Sequence, residues 1–187
     1  MAFIDYLTLL LVNMTAGLAV LAWFFARGLL TQDRRVFVAP FALTGLIALV
    51  GGLAITLTWP ITQNEMVWAN MTFGEPSVLL GGLFLAAALC LAMDWRLHVL
   101  GLYALVAGLV GILLGVGILM HGLTAQPILS GWGFILTGLA GVLSLPVLLR
   151  PSGKALRTLI VDLVLATLIW ALTAYMSYWM HLISYSK

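Results

Sequence analysis

Six long apolar runs separated by short polar gaps are the feature that most restricts how this chain can fold. Each run is close to the roughly 17 to 25 residues that a helix needs to cross a bilayer. Hydrocarbon cannot hydrogen-bond to a free backbone, so a chain that crosses it this way must be helical. The sequence predicts an all-α bundle of six transmembrane helices, in one polytopic domain of residues 1–187, with helices at about 6–26, 36–59, 77–93, 99–120, 128–149 and 156–180.

Basic residues follow the odd-numbered runs, and this alternation predicts a topology. Lys and Arg accumulate in cytoplasmic loops, so the loops after helices one, three and five should be cytoplasmic and both termini outside. Asp5, Glu65 and Glu75 then fall on the outer side. We expect a multi-pass protein of the plasma (inner) membrane of a prokaryote. Seven of the eight basic residues fit this pattern: Arg27, Arg34, Arg35, Arg96, Arg150, Lys154 and Arg157.

Composition excludes several other classes of protein. Charged residues make up 7% of the chain and its mean hydropathy is +1.18, whereas charged residues form about a quarter of soluble domains. The net charge of +2, without a basic patch, makes the lipid bilayer the expected partner and excludes nucleic acid. The sequence contains no HExxH, GxSxG, CxxC or Walker motif, so an enzyme is the less favoured prediction.

The segment between the second and third runs, residues 60–76, is predicted to be an outer loop bracketed by two prolines. Its notable residues are Trp68, Phe73 and Glu75, of which the two aromatic ones favour the headgroup region. The loop would either cap the mouth of the bundle or lie on the membrane surface.

Small residues line one face of helix four and a similar face of helix five, which predicts a tightly packed hairpin. We interpret both faces as structural first, and a homo-oligomer or larger membrane complex is expected to use such contacts as well. The face on helix four is Gly101, Ala104, Gly108, Gly111 and Gly115, and the face on helix five is Gly133, Thr137, Gly141 and Ser144.

Helix six carries a polar stripe whose six positions span an arc of about 100°. Polar groups facing hydrocarbon cost free energy, so the stripe must face the protein interior, a water-filled cavity or another subunit. The stripe comprises Asp162, Ala166, Trp170, Thr173, Ser177 and His181.

The leading functional hypothesis is that a small solute or ion passes along this stripe. In this hypothesis Asp162 is the charged residue at the inner end of the path, and His181 lies at its outer end. The residues between them along the path are Trp170, Thr173 and Ser177. Two alternatives stay open. The carboxylate would instead pair with Arg96 or Arg157 or bond to Thr158, or the stripe would dock a partner helix, making the protein a non-catalytic accessory subunit.

A repeated Met-His dipeptide at two outer helix ends raises the question of a metal or cofactor. Thioether and imidazole together suit copper(I), and two histidines could hold a haem. Met is common in apolar helices and His is ordinary at helix ends, so we expect no cofactor and keep copper or haem as the lesser alternative. The residues concerned are Met120, His121, Met180 and His181.

The stretch NMTFGEPS at residues 70–77, followed by VLLGGLFLAAALCL, resembles a family of small uncharacterised prokaryotic integral membrane proteins that share an Asn-x-x-Phe-Gly-Glu-Pro segment. The resemblance covers residues 70–91. Because that family has no assigned activity, the resemblance implies no functional role for Phe73, Gly74, Glu75 or Pro76.

Overall fold

The computed structural model describes residues 6–31, 33–62 and 67–185, and these form six helices, each long and apolar enough to span a membrane. The predicted all-α architecture is confirmed. A π-helical turn, Phe24–Gly28, continues the first helix, and a 3₁₀ turn, Arg35–Phe37, leads into the second. The helices are α1 Tyr6–Trp23, α2 Val38–Thr58, α3 Trp68–Ala92, α4 His98–His121, α5 Pro127–Leu149 and α6 Gly153–Tyr185.

The helices pack in chain order into a closed ring, in which each contacts the next and α6 returns to α1. Within the ring, α2 and α3 form one closely packed antiparallel hairpin and α4 and α5 form another. The contact between the two hairpins, α3 against α4, is the loosest of the six. The bundle is therefore two tight pairs, with α1 and α6 closing the side opposite the loose contact.

Glycine lets the backbones of each hairpin touch. A Cβ atom added to Gly115 of α4 would lie 2.6 Å from the carbonyl oxygen of Gly131 on α5, which confirms the predicted hairpin. The α2/α3 hairpin was not predicted, yet it is built the same way, because a Cβ on Gly52 would lie 2.7 Å from the amide nitrogen of Val78. Close van der Waals approach of this kind is the main source of helix association in lipid.

The predicted start of the third helix at Ser77 is wrong, because α3 begins at Trp68 and contains Pro76. Proline is tolerated inside a transmembrane helix where neighbouring helices and polar side chains compensate for the lost backbone bond. Consequently Trp68, Phe73 and Glu75 lie on the first turns of α3 and not in an outer loop.

A buried asparagine ties the shortened connection to α3. The Asn70 side chain accepts a hydrogen bond from the amide of Ile61 at 3.1 Å and donates to the carbonyl oxygens of Ile61 at 2.7 Å and Val67 at 3.0 Å. These three hydrogen bonds hold Ile61 and Val67, near the two ends of the connection, against the first turn of α3. The predicted outer residues Asp5 and Glu65 lie outside the described residues.

An exposed ion pair joins Arg35, in the connection after α1, to Asp94, in the connection after α3. The first and third connections therefore lie at the same end of the bundle, as the basic pattern predicts. The assignment of that end to the cytoplasm remains a prediction.

Candidate functional site

The polar stripe of α6 faces the inside of the bundle. Asp162 is 7% exposed, and Ala166 and Trp170 are fully buried, whereas Val161 and Leu168 on the other side of the helix are 58% and 61% exposed. The helix packs with this inward face against α1 and α5. The part of the stripe from Asp162 to Trp170 is thus buried against helices of the same chain, as predicted.

Trp170 fills the centre of the contact between α5 and α6. Its Nε1 donates a hydrogen bond of 2.9 Å to the hydroxyl of Thr137, which in turn donates to the carbonyl oxygen of Gly133 at 2.8 Å. Its ring packs edge-to-face on Phe134, with centroids 5.2 Å apart. A Cβ on Gly133 would lie 2.9 Å from the indole, so this glycine makes room for the tryptophan. The predicted place of Gly133 on the face that packs against α4 is therefore wrong, because it faces α6. At this level, packed side chains fill the space along the inward face of α6.

Towards the end of α6, the stripe carries two hydroxyl groups, one of which joins α6 to a second helix. Ser177 and Thr8 of α1 share a hydrogen bond of 2.9 Å between their hydroxyl oxygens. Thr173 instead donates to the carbonyl oxygen of Ile169 in its own helix, at 2.8 Å. Both stripe residues are half-buried, and so is His181. Of the two hydroxyl groups, that of Ser177 is the one that bonds to α1.

Two buried side-chain oxygens in the described residues have no hydrogen-bond partner, Oγ1 of Thr56 and Oδ2 of Asp162, and only the second belongs to an ionisable group. The ion pair that the sequence suggested with Arg96 or Arg157 is not formed in the described part of the chain. A shallow depression on the surface of α6 lies beside the carboxyl, and its described lining, which includes Arg157 and Thr158, comes from α6 alone. The carboxyl is therefore buried but close to the exposed surface of its own helix.

The end of α6 that carries Asp162 also contacts the π-helical turn Phe24–Gly28 at the end of α1. Such turns interrupt the regular backbone bonding of a helix and occur often at functional sites. This turn was not predictable from the sequence, because its residues, FFARG, include no proline and only one glycine, at the end.

The two Met-His dipeptides lie at exposed helix ends. Met120 is 73% and Met180 is 68% exposed, and His121 is exposed as well. Within residues 6–31, 33–62 and 67–185 there is no group of three or more His, Cys, Asp or Glu side chains that could hold a metal ion. Copper or haem at these residues remains a prediction.

A feature that the sequence did not suggest is an apolar cavity of about 120 Å³ among the first five helices. It is lined by side chains that lie far apart in the chain, from Met14 on α1 to Leu148 on α5. Phe134, against which Trp170 packs, forms part of its wall. At the level of Trp170, the ring of Phe134 thus stands between the cavity and the stripe.

Comparison with known proteins gives a family without an activity. No curated protein and no solved structure matches the chain. A family model described as "Protein of unknown function (DUF981)" matches residues 1–184. This agrees with the expected resemblance to an uncharacterised family. Since the match spans nearly the whole sequence, the chain belongs to the DUF981 family of proteins of unknown function.

Proposed function

We propose that this membrane protein passes a small solute or ion along the inward face of α6, and that the species is a cation or a proton. The observation that carries the proposal is Asp162, a carboxyl group that is 7% exposed and has an oxygen without a hydrogen-bond partner. Ionisable groups within membrane spans are costly and commonly mark ion or proton pathways. A purely structural carboxyl group would be expected to have both oxygens satisfied.

The surface depression beside Asp162, lined by Arg157 and Thr158 of the same helix, supports the proposal because it brings the exterior of the bundle close to the carboxyl. Towards the other end of the helix, Thr173 and Ser177 supply hydroxyl groups on the same face of α6, and His181 follows one turn later. In this proposal Trp170 is the gate. The packed arrangement is the closed state, and opening requires the indole to leave Phe134 and Thr137.

Flux measurements in proteoliposomes test the proposal. We expect the purified protein to dissipate an imposed proton or potassium gradient, and Asp162→Asn to reduce the rate to that of protein-free vesicles. Asp94→Asn is the matched control, because Asp94 is an exposed acid at a helix end and its loss should leave the rate unchanged. Equal rates for the wild type and Asp162→Asn would remove this carboxyl from the mechanism.

An accessory role in a larger complex is the second candidate, and the end of α6 favours it. Tyr175, Trp179, Met180 and Leu182 are each more than 60% exposed. The candidate span in α6 covers 31 residues, compared with 22 to 25 in the other helices. Because the polar stripe is already covered by α1 and α5, a partner or a second copy of the chain would dock on this exposed end.

Purification in mild detergent separates the two candidates. An accessory subunit should be recovered in fixed ratio with the same partners, should lose them on Trp179→Ala, and should show no flux when reconstituted alone. Flux by the isolated protein would instead favour the first candidate.

A further inference from the structure

The apolar cavity among α1 to α5 is a second region with its own chemistry, independent of the proposed pathway on α6. Along α3 its lining runs from Pro76 to Leu91, which is about 22 Å along the helix axis at 1.5 Å per residue. One leaflet of the hydrocarbon core is about 15 Å thick. The volume of about 120 Å³ is slightly below the roughly 150 Å³ of a cavity that admits benzene, so this narrow slot has room for a few carbon atoms of a hydrocarbon chain.

The walls of the slot offer almost nothing polar. Its side-chain hydroxyls are those of Thr137 and Ser144, and both already donate to carbonyl oxygens of their own helix, at 2.8 Å and 2.7 Å. An apolar cavity of this kind does not retain water and readily accepts an apolar ligand. Left empty, its lining would also lose dispersion contacts. The chemistry therefore selects hydrocarbon and provides no site for a charged headgroup.

The slot has a side entrance where the two hairpins meet. The α3/α4 contact is the loosest in the ring, whereas glycine holds both hairpins closed on either side of it. At this contact the lining side chains of Leu83 and Ala87 on α3 and of Ala107 on α4 are only half-buried. Since these residues belong to membrane-spanning helices, the molecules outside this entrance are lipids.

We infer that the slot binds a short segment of one acyl chain of a bilayer lipid, which enters sideways between α3 and α4 while the headgroup stays outside the bundle. The volume and the apolar lining match a few carbon atoms of a single chain, and the entrance faces the surrounding lipids from which that chain would come. The slot is a specific site for the chain and is indifferent to the headgroup.

Photolabelling of the full protein in phosphatidylcholine vesicles tests this inference. The probe is a phosphatidylcholine with a diazirine in the middle of one acyl chain, and the labelled residues are mapped by mass spectrometry. We expect label on slot residues that are at most 3% exposed, such as Leu18, Phe41 and Phe134, in addition to the lipid-facing surface. Label confined to lipid-facing residues such as Leu102 and Leu113 would overturn the inference.

Filling the slot provides the second arm of the experiment. Ala107→Phe adds a ring at the entrance and should abolish labelling inside the slot while leaving the surface labelled. The matched control is Ala19→Phe, which adds the same ring at an exposed position on α1 and should change nothing. Undiminished labelling inside the slot of Ala107→Phe would contradict the inference, as would labelling there by a probe with the diazirine in its headgroup. If Ala107→Phe fails to fold, the positions labelled in the wild-type protein still test the inference.

Discussion

The two hairpins and the α6 contacts hold this bundle together in different ways. In α2/α3 and α4/α5 the backbones themselves touch, because glycines such as Gly52 and Gly115 leave no side chain between them. The helix α6 is joined to its neighbours by side chains instead, through Trp170 to α5 and through Ser177 to α1. Backbone contacts cannot adjust, whereas hydrogen bonds between side chains in a membrane contribute only about 0.6 kcal/mol each on average. The hairpins are thus the rigid frame, and α6 is joined to its neighbours by side-chain contacts that can adjust.

The largest effect should come from filling a hairpin contact. Gly81→Ala places a Cβ against the backbone amide of Leu49, and we expect it to lower the free energy of unfolding by about 3 kcal/mol, since neither backbone can retreat. The next residue gives the control, because a Cβ on Gly82 meets no atom within 4 Å. Gly82→Ala should leave stability unchanged or raise it by less than about 1 kcal/mol. The free energies of unfolding are measured by titration in mixed micelles. Equal losses for the two variants would contradict the conclusion that close backbone contacts hold the hairpins together.

A smaller effect is expected at the centre of α6. Trp170→Phe removes the hydrogen bond to Thr137 and leaves a gap beside Phe134, which should cost about 2 kcal/mol of unfolding free energy. Thr137→Val removes the hydroxyl alone and should cost about 1 kcal/mol. A double-mutant cycle with the same titrations should give a coupling near 0.6 kcal/mol between the two. Strict additivity would mean that the indole and the hydroxyl do not interact.

The outer contact of α6 should be weaker still. Ser177→Ala removes the hydroxyl bond to Thr8 and is expected to cost about 0.6 kcal/mol in the same unfolding assay. Thr173→Ala is a useful comparison, because that hydroxyl donates to the carbonyl of Ile169 in its own helix and joins no second helix. If the two variants lose the same stability, the hydroxyl pair does not hold α6 to α1.

The smallest effect belongs to the exposed ion pair at the bundle end. Arg35→Ala removes the partner of Asp94, yet exposed pairs of this kind contribute less than about 1 kcal/mol. The loss should disappear in high salt, since screening acts on solvent-exposed charges. An effect as large as that of Gly81→Ala would show that this contact supports the frame.

The sequence predicted one hairpin and missed the other for a definable reason. On α4 the small residues from Gly101 to Gly115 follow one another by three or four positions, which allows a single face only. On α2 and α3 the glycines include the adjacent pairs Gly51–Gly52 and Gly81–Gly82, whose members point about 100° apart. One member of each pair lies in the contact, and spacing alone does not identify which.

The inward direction of the α6 stripe was predictable because hydrocarbon excludes polar groups. The residues of other helices that the stripe contacts were not predictable. The contact of Trp170 with Gly133 and Phe134 depends on how far α5 slides along α6, which the sequence of neither helix encodes. The cavity could not be predicted from the sequence either, because its lining residues come from five helices. The predicted start of α3 is too late because proline usually marks a loop, whereas Pro76 is an interior residue of this helix.

Ring closure through α1 and α6 has a consequence for how the protein is made. The Asn13 side chain on α1 can donate to the carbonyl oxygen of Thr44 as soon as α2 has been synthesised. The bond between Thr8 and Ser177, by contrast, must wait for the last span to enter the bilayer. Assembly therefore begins with neighbouring pairs and ends with a long-range closure. A circularly permuted chain that starts at α2 would turn that closure into a local hairpin and should assemble without the delay.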